Sequence, residues 1–309
     1  MSHSGGPLHR RDDEPLVGAV ETGGTKCVCA IGTGPDDLHA TAEFASAMPG
    51  PTLDRVIEFF RAHAGPALTA VGIAAFGPLD LDPASPTYGS VTTTPKRGWA
   101  RTDLVGTLRR GLGTPVAIDT DVNAAALAEG RWGAAQGLDT FVYLTVGTGI
   151  GGGAVIDGRA LRGLAHPEMG HVRVPHDRAA DPFAGACPYH GDCLEGLASA
   201  QAVAQRWGRP PEELPAHHPA WALEAHYLAL GVVSVIAILS PRRVIMGGGL
   251  LRQPALLPLA RAKVLSLLNG YVPAGTIGQR IDDYMVAPAL GARAGVLGAL
   301  SLAQDIARR

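Results

Sequence analysis

A short β-rich run, a glycine turn and a second β-rich run open the chain in residues 16–34 (LVGAVETGGTKCVCAIGTG), and the pattern returns in residues 141–156. A strand–glycine turn–strand unit that recurs at this distance predicts two similar α/β domains. Between the two units, residues 53–63 place Leu53, Val56, Ile57 and Phe60 at helical spacing, and residues 70–76 form a continuous apolar run ending at Gly77-Pro78. Such a run suits a buried strand that meets a functional loop. The Pro/Thr/Ser-rich residues 78–99 follow, longer than a connection needs to be unless it binds something or moves. Residues 116–118 read as a strand, and Asp119, Thr120 or Asp121 is placed to cap an alanine-rich helix running toward Trp132. Further on, residues 216–239 read as a helix, residues 243–246 as a short strand broken by Gly247-Gly248-Gly249, and residues 295–309 as a last helix.

Composition narrows the class of partner. The 309 residues carry 26 basic and 28 acidic side chains, a net charge of −2, so there is no electrostatic footing for nucleic acid or an anionic membrane. A small, weakly charged partner fits better. The 41 glycines point to many positions of positive φ or close ligand approach, as in an α/β enzyme with glycine-rich loops. The apolar residues 227–239, interrupted by Gly231 and Ser234, are too short to cross a bilayer and read as a core helix. Four cysteines do not make a disulfide framework, which fits a reducing, cytoplasmic setting. Residues 1–15 are polar, without a signal-peptide core, and read as a disordered leader.

The turn Glu21-Thr22-Gly23-Gly24-Thr25-Lys26 offers unhindered N–H groups, hydroxyls and an ammonium suited to phosphate oxygens. A glycine pair in a hairpin is also simply a turn. The second cluster, at residues 147–153, and the third, Gly247 to Gly249, shift the reading toward a polyphosphate site. Asp121, at a strand end and helix start, is placed as either a general base or a plain N-cap. His171, Cys187, His190 and Cys193 follow the pattern H-x15-C-x2-H-x2-C. Two thiolates and two imidazoles are the tetrahedral set that zinc prefers, and four protein ligands make the metal structural. Cys27 and Cys29 read as small buried residues, while His166, His176, His217, His218 and His226 read as surface or core histidines.

Taken in order, Glu21 to Lys26, Asp121-Val122-Asn123, Val146 to Gly152, Glu168-Met169-Gly170-His171, Cys187 to Glu195 and Gly247 to Gly249 resemble the ROK family of sugar kinases and repressors. Gly77 to Asp80, Ser85 to Gly89, Thr92 to Lys96 and Cys187 to Cys193 are similar to its bacterial fructokinase branch. The resemblance implies the actin-like, hexokinase-type α/β fold, with two related domains around a cleft: residues 16–119 with the helix 295–309, and residues 120–294 with a zinc segment at 171–193. It implies phosphoryl transfer from Mg-ATP to a hexose, with Asp121 as base. Glu168, His171 and Glu195 would hold the sugar, with His171 shared with the zinc. Gly23, Gly24, Thr25 and Lys26 would form the first phosphate motif, Thr148 and Gly149 the second, and Gly247, Gly248 and Gly249 the adenosine motif.

The resemblance also implies a homodimer. The branch makes fructose the expected sugar, with glucose, mannose or an amino sugar as alternatives. Thr120 stands where glucokinases carry Asn, which removes an amide from the sugar site. Glu21 stands where most members carry Asp, and residues 291–295 lack the acidic residue often found there. A sensor or repressor is the reading from another class. The 15 residues before Leu16 are too few and too polar for a helix-turn-helix, so a kinase is expected.

Overall fold

The structure, a computed structural model, describes residues 15–272 and 277–308. The expected leader lies outside the described residues except for Pro15.

The first glycine turn joins β1 (Val17–Thr22) to β2 (Lys26–Gly34), antiparallel, with Thr22 opposite Cys27. β3 (Asp37–Ala45) extends the meander, and β4 (Ala70–Ala75) and β5 (Val116–Thr120) join β1 in parallel, giving the order β3-β2-β1-β4-β5. The sequence reading did not anticipate β3. Its residues are mostly poor strand formers, and only the alternation of Ala40, Ala42 and Phe44 toward the core marks it. On one face lie α1 (Pro49–His63) and α2 (Leu104–Leu112), which bury Leu53, Val56, Phe60, Leu104 and Leu108. α1 starts four residues earlier than its apolar pattern, because Pro49 and Pro51 suit the first helical turn.

The second sheet repeats the plan. β6 (Phe141–Val146), β7 (Ile150–Ile156) and β8 (Arg159–Ala160) form an antiparallel meander. β9 (Val244–Gly247) and β10 (Met285–Val286) add in parallel, in the order β10-β9-β6-β7-β8. Gly151, Gly152 and Gly153 belong to β7 and not to the turn before it. They are there for packing: a Cβ on Gly153 would stand 2.5 Å from the Val122 carbonyl of α3 (Asp121–Trp132). The outer face is covered by α4 (Leu194–Ala198), α5 (Ala200–Trp207), α6 (Ala220–Leu239) and α7 (Leu256–Leu268), with the short α8 (Ile281–Tyr284) beside β10.

α6 begins at Ala220, not residue 216. It is long and apolar enough to cross a membrane by length and composition, but half of its apolar window is buried in the fold. It packs on α7 and α4 as a core helix. Between the two sheets run α3 and α9 (Ala294–Ala307): α9 lies on β1 and β4, and α3 lies against β7 and β6. The long segment after β4 is ordered by bridges from Leu79 to Val91 and from Ser90 to Asp103. Trp99, fully buried, donates its indole N–H to Ala47 O at 2.7 Å.

Candidate active site

Asp121 is the first residue of α3. The helix is capped by Thr120, whose Oγ1 accepts from Asn123 N at 3.1 Å, so the Asp121 carboxylate is left free of the capping task. Its Oδ1 accepts from Val122 N at 2.9 Å. Although the residue keeps some solvent contact, desolvation pushes the carboxyl up to about 7. The neighbouring charges of Glu21 and Glu168 add to this and the Val122 N–H opposes it. A carboxyl poised near neutrality can both take and release a proton.

Glu21, near the end of β1, lies on one side of Asp121. Its carboxylate accepts from Val296 N–H in the first turn of α9, and burial raises its pKa against the pull of Lys26. The carboxylate fills the space over Gly295, where a Cβ would come within 2.5 Å of it. Glu in place of Asp thus reaches a helix N-terminus that receives a negative charge well.

On the other side stands Glu168, at the start of the 3-10 turn Met169–His171 and open to the cleft. Its pKa is raised first by desolvation and then by Glu195, with His166 and His171 opposing. The His171 ring has two neighbourhoods. Nε2 lies 4.0 Å from Glu195 Oε1, while Nδ1 lies 3.7 Å from Cys187 Sγ, 3.5 Å from Cys193 Sγ and 3.3 Å from His190 Nδ1. Cys187 Sγ is 3.6 Å from His190 Nδ1, and all four ligand atoms lie within 4.8 Å of one another. Metal–ligand bonds of about 2.3 Å to sulfur and about 2.05 Å to nitrogen give tetrahedral edges of about 3.6 Å (S–N) and about 3.3 Å (N–N). The residues present fit a four-coordinate soft metal, and His171 can hold it while its Nε2 still faces the cleft.

Glu195 lies in α4, two residues after Cys193, which caps that helix, and its Oε2 accepts from Ile150 N at 2.9 Å. The same oxygen rests against Gly149, where a Cβ would stand 2.5 Å away. So Glu195 is tied to the second glycine turn, whose tip, Thr148, is exposed. That turn abuts the third cluster: a Cβ on Gly147 would lie 3.9 Å from Gly249 N, and Gly248, at φ 96°, backs onto Val146. Gly24 and Gly249 would meet nothing within 4 Å if given a Cβ, and neither has positive φ. The chain's own packing does not require glycine there, whereas a ligand lying on the backbone would.

Glu21, Asp121, Glu168, His171 and Glu195 are thus successive neighbours, and Glu195 touches the turn bearing Thr148 and Gly149, which in turn abuts Gly247 to Gly249. Gly23, Gly24 and Thr25 follow Glu21 after Thr22. Lys26 lies at the surface, its Nζ 2.8 Å from Glu43 Oε2, close enough for its charge to pull the Glu21 carboxyl down. Cys27 and Cys29 are buried and free, as expected.

Two residues escaped the sequence reading. His166 is buried and accepts Leu79 N–H on Nε2 at 3.0 Å, so its proton sits on Nδ1, 3.5 Å from Glu168 Oε1. Arg162 pairs at 2.6 Å with the fully buried Asp119, two residues before Asp121. No local pattern marks either one, because each partner lies far along the chain, Leu79 87 residues from His166 and Asp119 43 residues from Arg162.

A model of the ROK family matches residues 17–306. The chain is 42% identical over 301 residues to a fructokinase of Zymomonas mobilis (95% of this chain, 98% of that one). It is 38% identical over 291 residues to a fructokinase of Pediococcus pentosaceus (94% and 98%). Among solved structures, a ROK family glucokinase from Streptomyces griseus in complex with glucose and AMPPNP superposes with a TM-score of 0.71 at 25% identity, covering 94% of this chain and 99% of that one. With matching sheets, order of motifs and near-complete coverage, the chain belongs to the ROK family and has the α/β, actin-like fold of its hexokinases.

Proposed function

We propose that this protein is an ATP-dependent fructokinase that converts fructose and ATP to fructose 6-phosphate and ADP, with Asp121 as the general base. The observation that carries this is the Asp121 carboxyl, lifted to about 7, between a sugar-type set of side chains and glycine turns with open backbone. Asp121 takes the proton of the C6 hydroxyl as that oxygen bonds to the γ-phosphorus, and the β–γ bridging oxygen leaves with ADP. Glu168, His171 Nε2 and Glu195 hold sugar hydroxyls. Gly23 to Lys26, Thr148 and Gly149 face the phosphates, and Gly247 to Gly249 face the adenosine. Magnesium bound with ATP would neutralise charge on the phosphate oxygens, and Glu21 and Asp121 are the carboxylates that would hold it. His171 Nδ1, Cys187 Sγ, His190 Nδ1 and Cys193 Sγ hold a structural zinc.

Fructose is favoured over glucose by Thr120, whose buried hydroxyl caps α3 and which supplies no amide to a sugar, and by the two fructokinase relatives. The two sheets support a division into a small domain, residues 16–119 with 295–309, and a large one, residues 120–294, that close over the substrates. A homodimer in the cytoplasm follows from the resemblance. The test is ADP release with Mg-ATP against fructose, mannose, glucose and N-acetylmannosamine, with Asp121→Ala alongside. Fructose should give the highest kcat/KM, and the variant should lose about 100-fold or more of it. Preference for another hexose would refute the substrate, and near-normal turnover in Asp121→Ala would refute the base.

A further inference from the structure

We propose that Lys96 is the cation of the first phosphate turn: it holds the Gly23 carbonyl in place and presents its positive charge to the phosphoryl groups of ATP. This rests on the reading that residues 23–26 receive phosphate. Lys96 Nζ donates to Gly23 O at 3.0 Å and to Ser46 Oγ, and Ser46 N in turn donates to Thr25 O at 2.9 Å. The turn is thus clamped on both sides by one small cluster. The ammonium lies over two rings, 4.6 Å from the Phe76 centroid and 4.4 Å from that of Trp99, and those rings pack edge to face.

All of these acceptors are neutral. Among the described residues no carboxylate lies within ion-pair distance of Lys96, and burial lowers its pKa to about 8. Ring faces and two neutral oxygens offset only part of the desolvation of an ammonium. A half-buried cation with no anion of its own, beside a turn whose Gly24 leaves open space, calls for an anionic ligand. Lys26, the cation that the sequence offers for this role, is paired with Glu43 at the surface. Nothing local reveals Lys96, because its contact with Gly23 spans 73 residues.

The experiment is steady-state kinetics with ATP and fructose varied separately in Lys96→Met, Lys96→Gln and Lys96→Arg, together with calorimetric titration of AMPPNP. In Lys96→Met we expect kcat/KM for ATP to fall by about 30-fold or more and AMPPNP binding to weaken, while KM for fructose stays within about threefold. Lys96→Gln, which keeps a donor but no charge, should resemble Lys96→Met, and Lys96→Arg should recover most of the loss. A Lys96→Met protein with ATP kinetics within threefold of the parent would overturn the proposal. So would an equal loss on both substrates, which marks a merely structural role. If Lys96→Met does not fold, the ratio of Lys96→Gln to Lys96→Arg reads the same charge effect. Gly24→Ala separates the two layers of inference. Unchanged ATP kinetics in that variant remove the phosphate turn itself, whereas an impaired Gly24→Ala beside a normal Lys96→Met removes Lys96 alone.

Discussion

Asp121 has a pKa that suits catalysis at a cost to stability, and both sides are measurable. Its carboxyl titrates in the folded protein at about 7, raised chiefly by desolvation, against an unfolded value of 3.8. For the base to accept a proton it must be ionised, so kcat/KM for fructose should fall tenfold for each pH unit below about 7. A profile flat down to pH 5 would contradict the assignment. For stability the sign is opposite. Between about pH 4 and 7 the folded chain keeps a proton that the unfolded chain has lost, so ionising Asp121 weakens the fold as pH rises. Asp121→Asn should therefore be more stable than the parent at pH 8, by on the order of 2 kcal/mol, with the gain vanishing near pH 4. Equal urea midpoints at pH 8 would show that the carboxyl is not strained. At this scale the sequence reveals groups whose partners are near in the chain. Asp121 at a helix start and the Cys187, His190, Cys193 spacing can be read directly, whereas His166 meets Leu79 across 87 residues and leaves no local trace.

The segment proposed to hold zinc acts as an element through what it fixes. Cys187 and Gly191 exchange backbone hydrogen bonds at 3.2 and 2.9 Å, Arg173 Nη1 donates to His190 O at 2.8 Å, and Cys193 starts the helix that carries Glu195. A metal joining His171 to Cys193 would therefore set the distance between His171 Nε2 and Glu195, the side chains proposed to face the sugar. Purified protein should contain one zinc per chain by elemental analysis. Its removal with a chelator should abolish fructose turnover and open residues 172–192 to proteolysis, with re-addition restoring both. Metal-free protein with normal kinetics would disprove the coupling. The ligand set was legible because all four residues lie within one stretch of chain. The glycines of β7 misled the reading because a run of three looks like a loop, whereas Gly151 and Gly153 admit α3 against the strand and Gly152 faces Met169. Periodicity carries no sign of what packs above a strand.

Those β7 glycines belong to a stack that spans the whole molecule. From one sheet to the other the layers run β4, α9, α3, β7, and each junction is a glycine against a backbone carbonyl: Gly72 under Ala299 O, Gly298 under Ala124 O, and Gly153 under Val122 O. The two sheets have the same strand order and directions, which the recurring strand–turn–strand unit foretold, but their separation is set by these junctions. α3 brings Asp121, β1 brings Glu21, and α9 brings the N–H that holds Glu21, so the spacing of the layers is also the spacing of the carboxylates. Part of the 41 glycines therefore serves close helix approach, and not the loops to which composition alone assigns them. Gly298→Ala tests this. Its methyl would meet the Ala124 backbone, which has no flexible end to move aside, so α3 and α9 must separate. The variant should lose about 2–4 kcal/mol in urea unfolding, and the protein that remains folded should have a lower kcat as Asp121 shifts from its place. Gly24→Ala, in open space, should unfold at the parent's urea midpoint while losing activity with ATP. If the stabilities of the two variants were reversed, the glycines would be serving turns and ligands at both sites, and the spacing between the sheets would have to come from the larger side chains of the core.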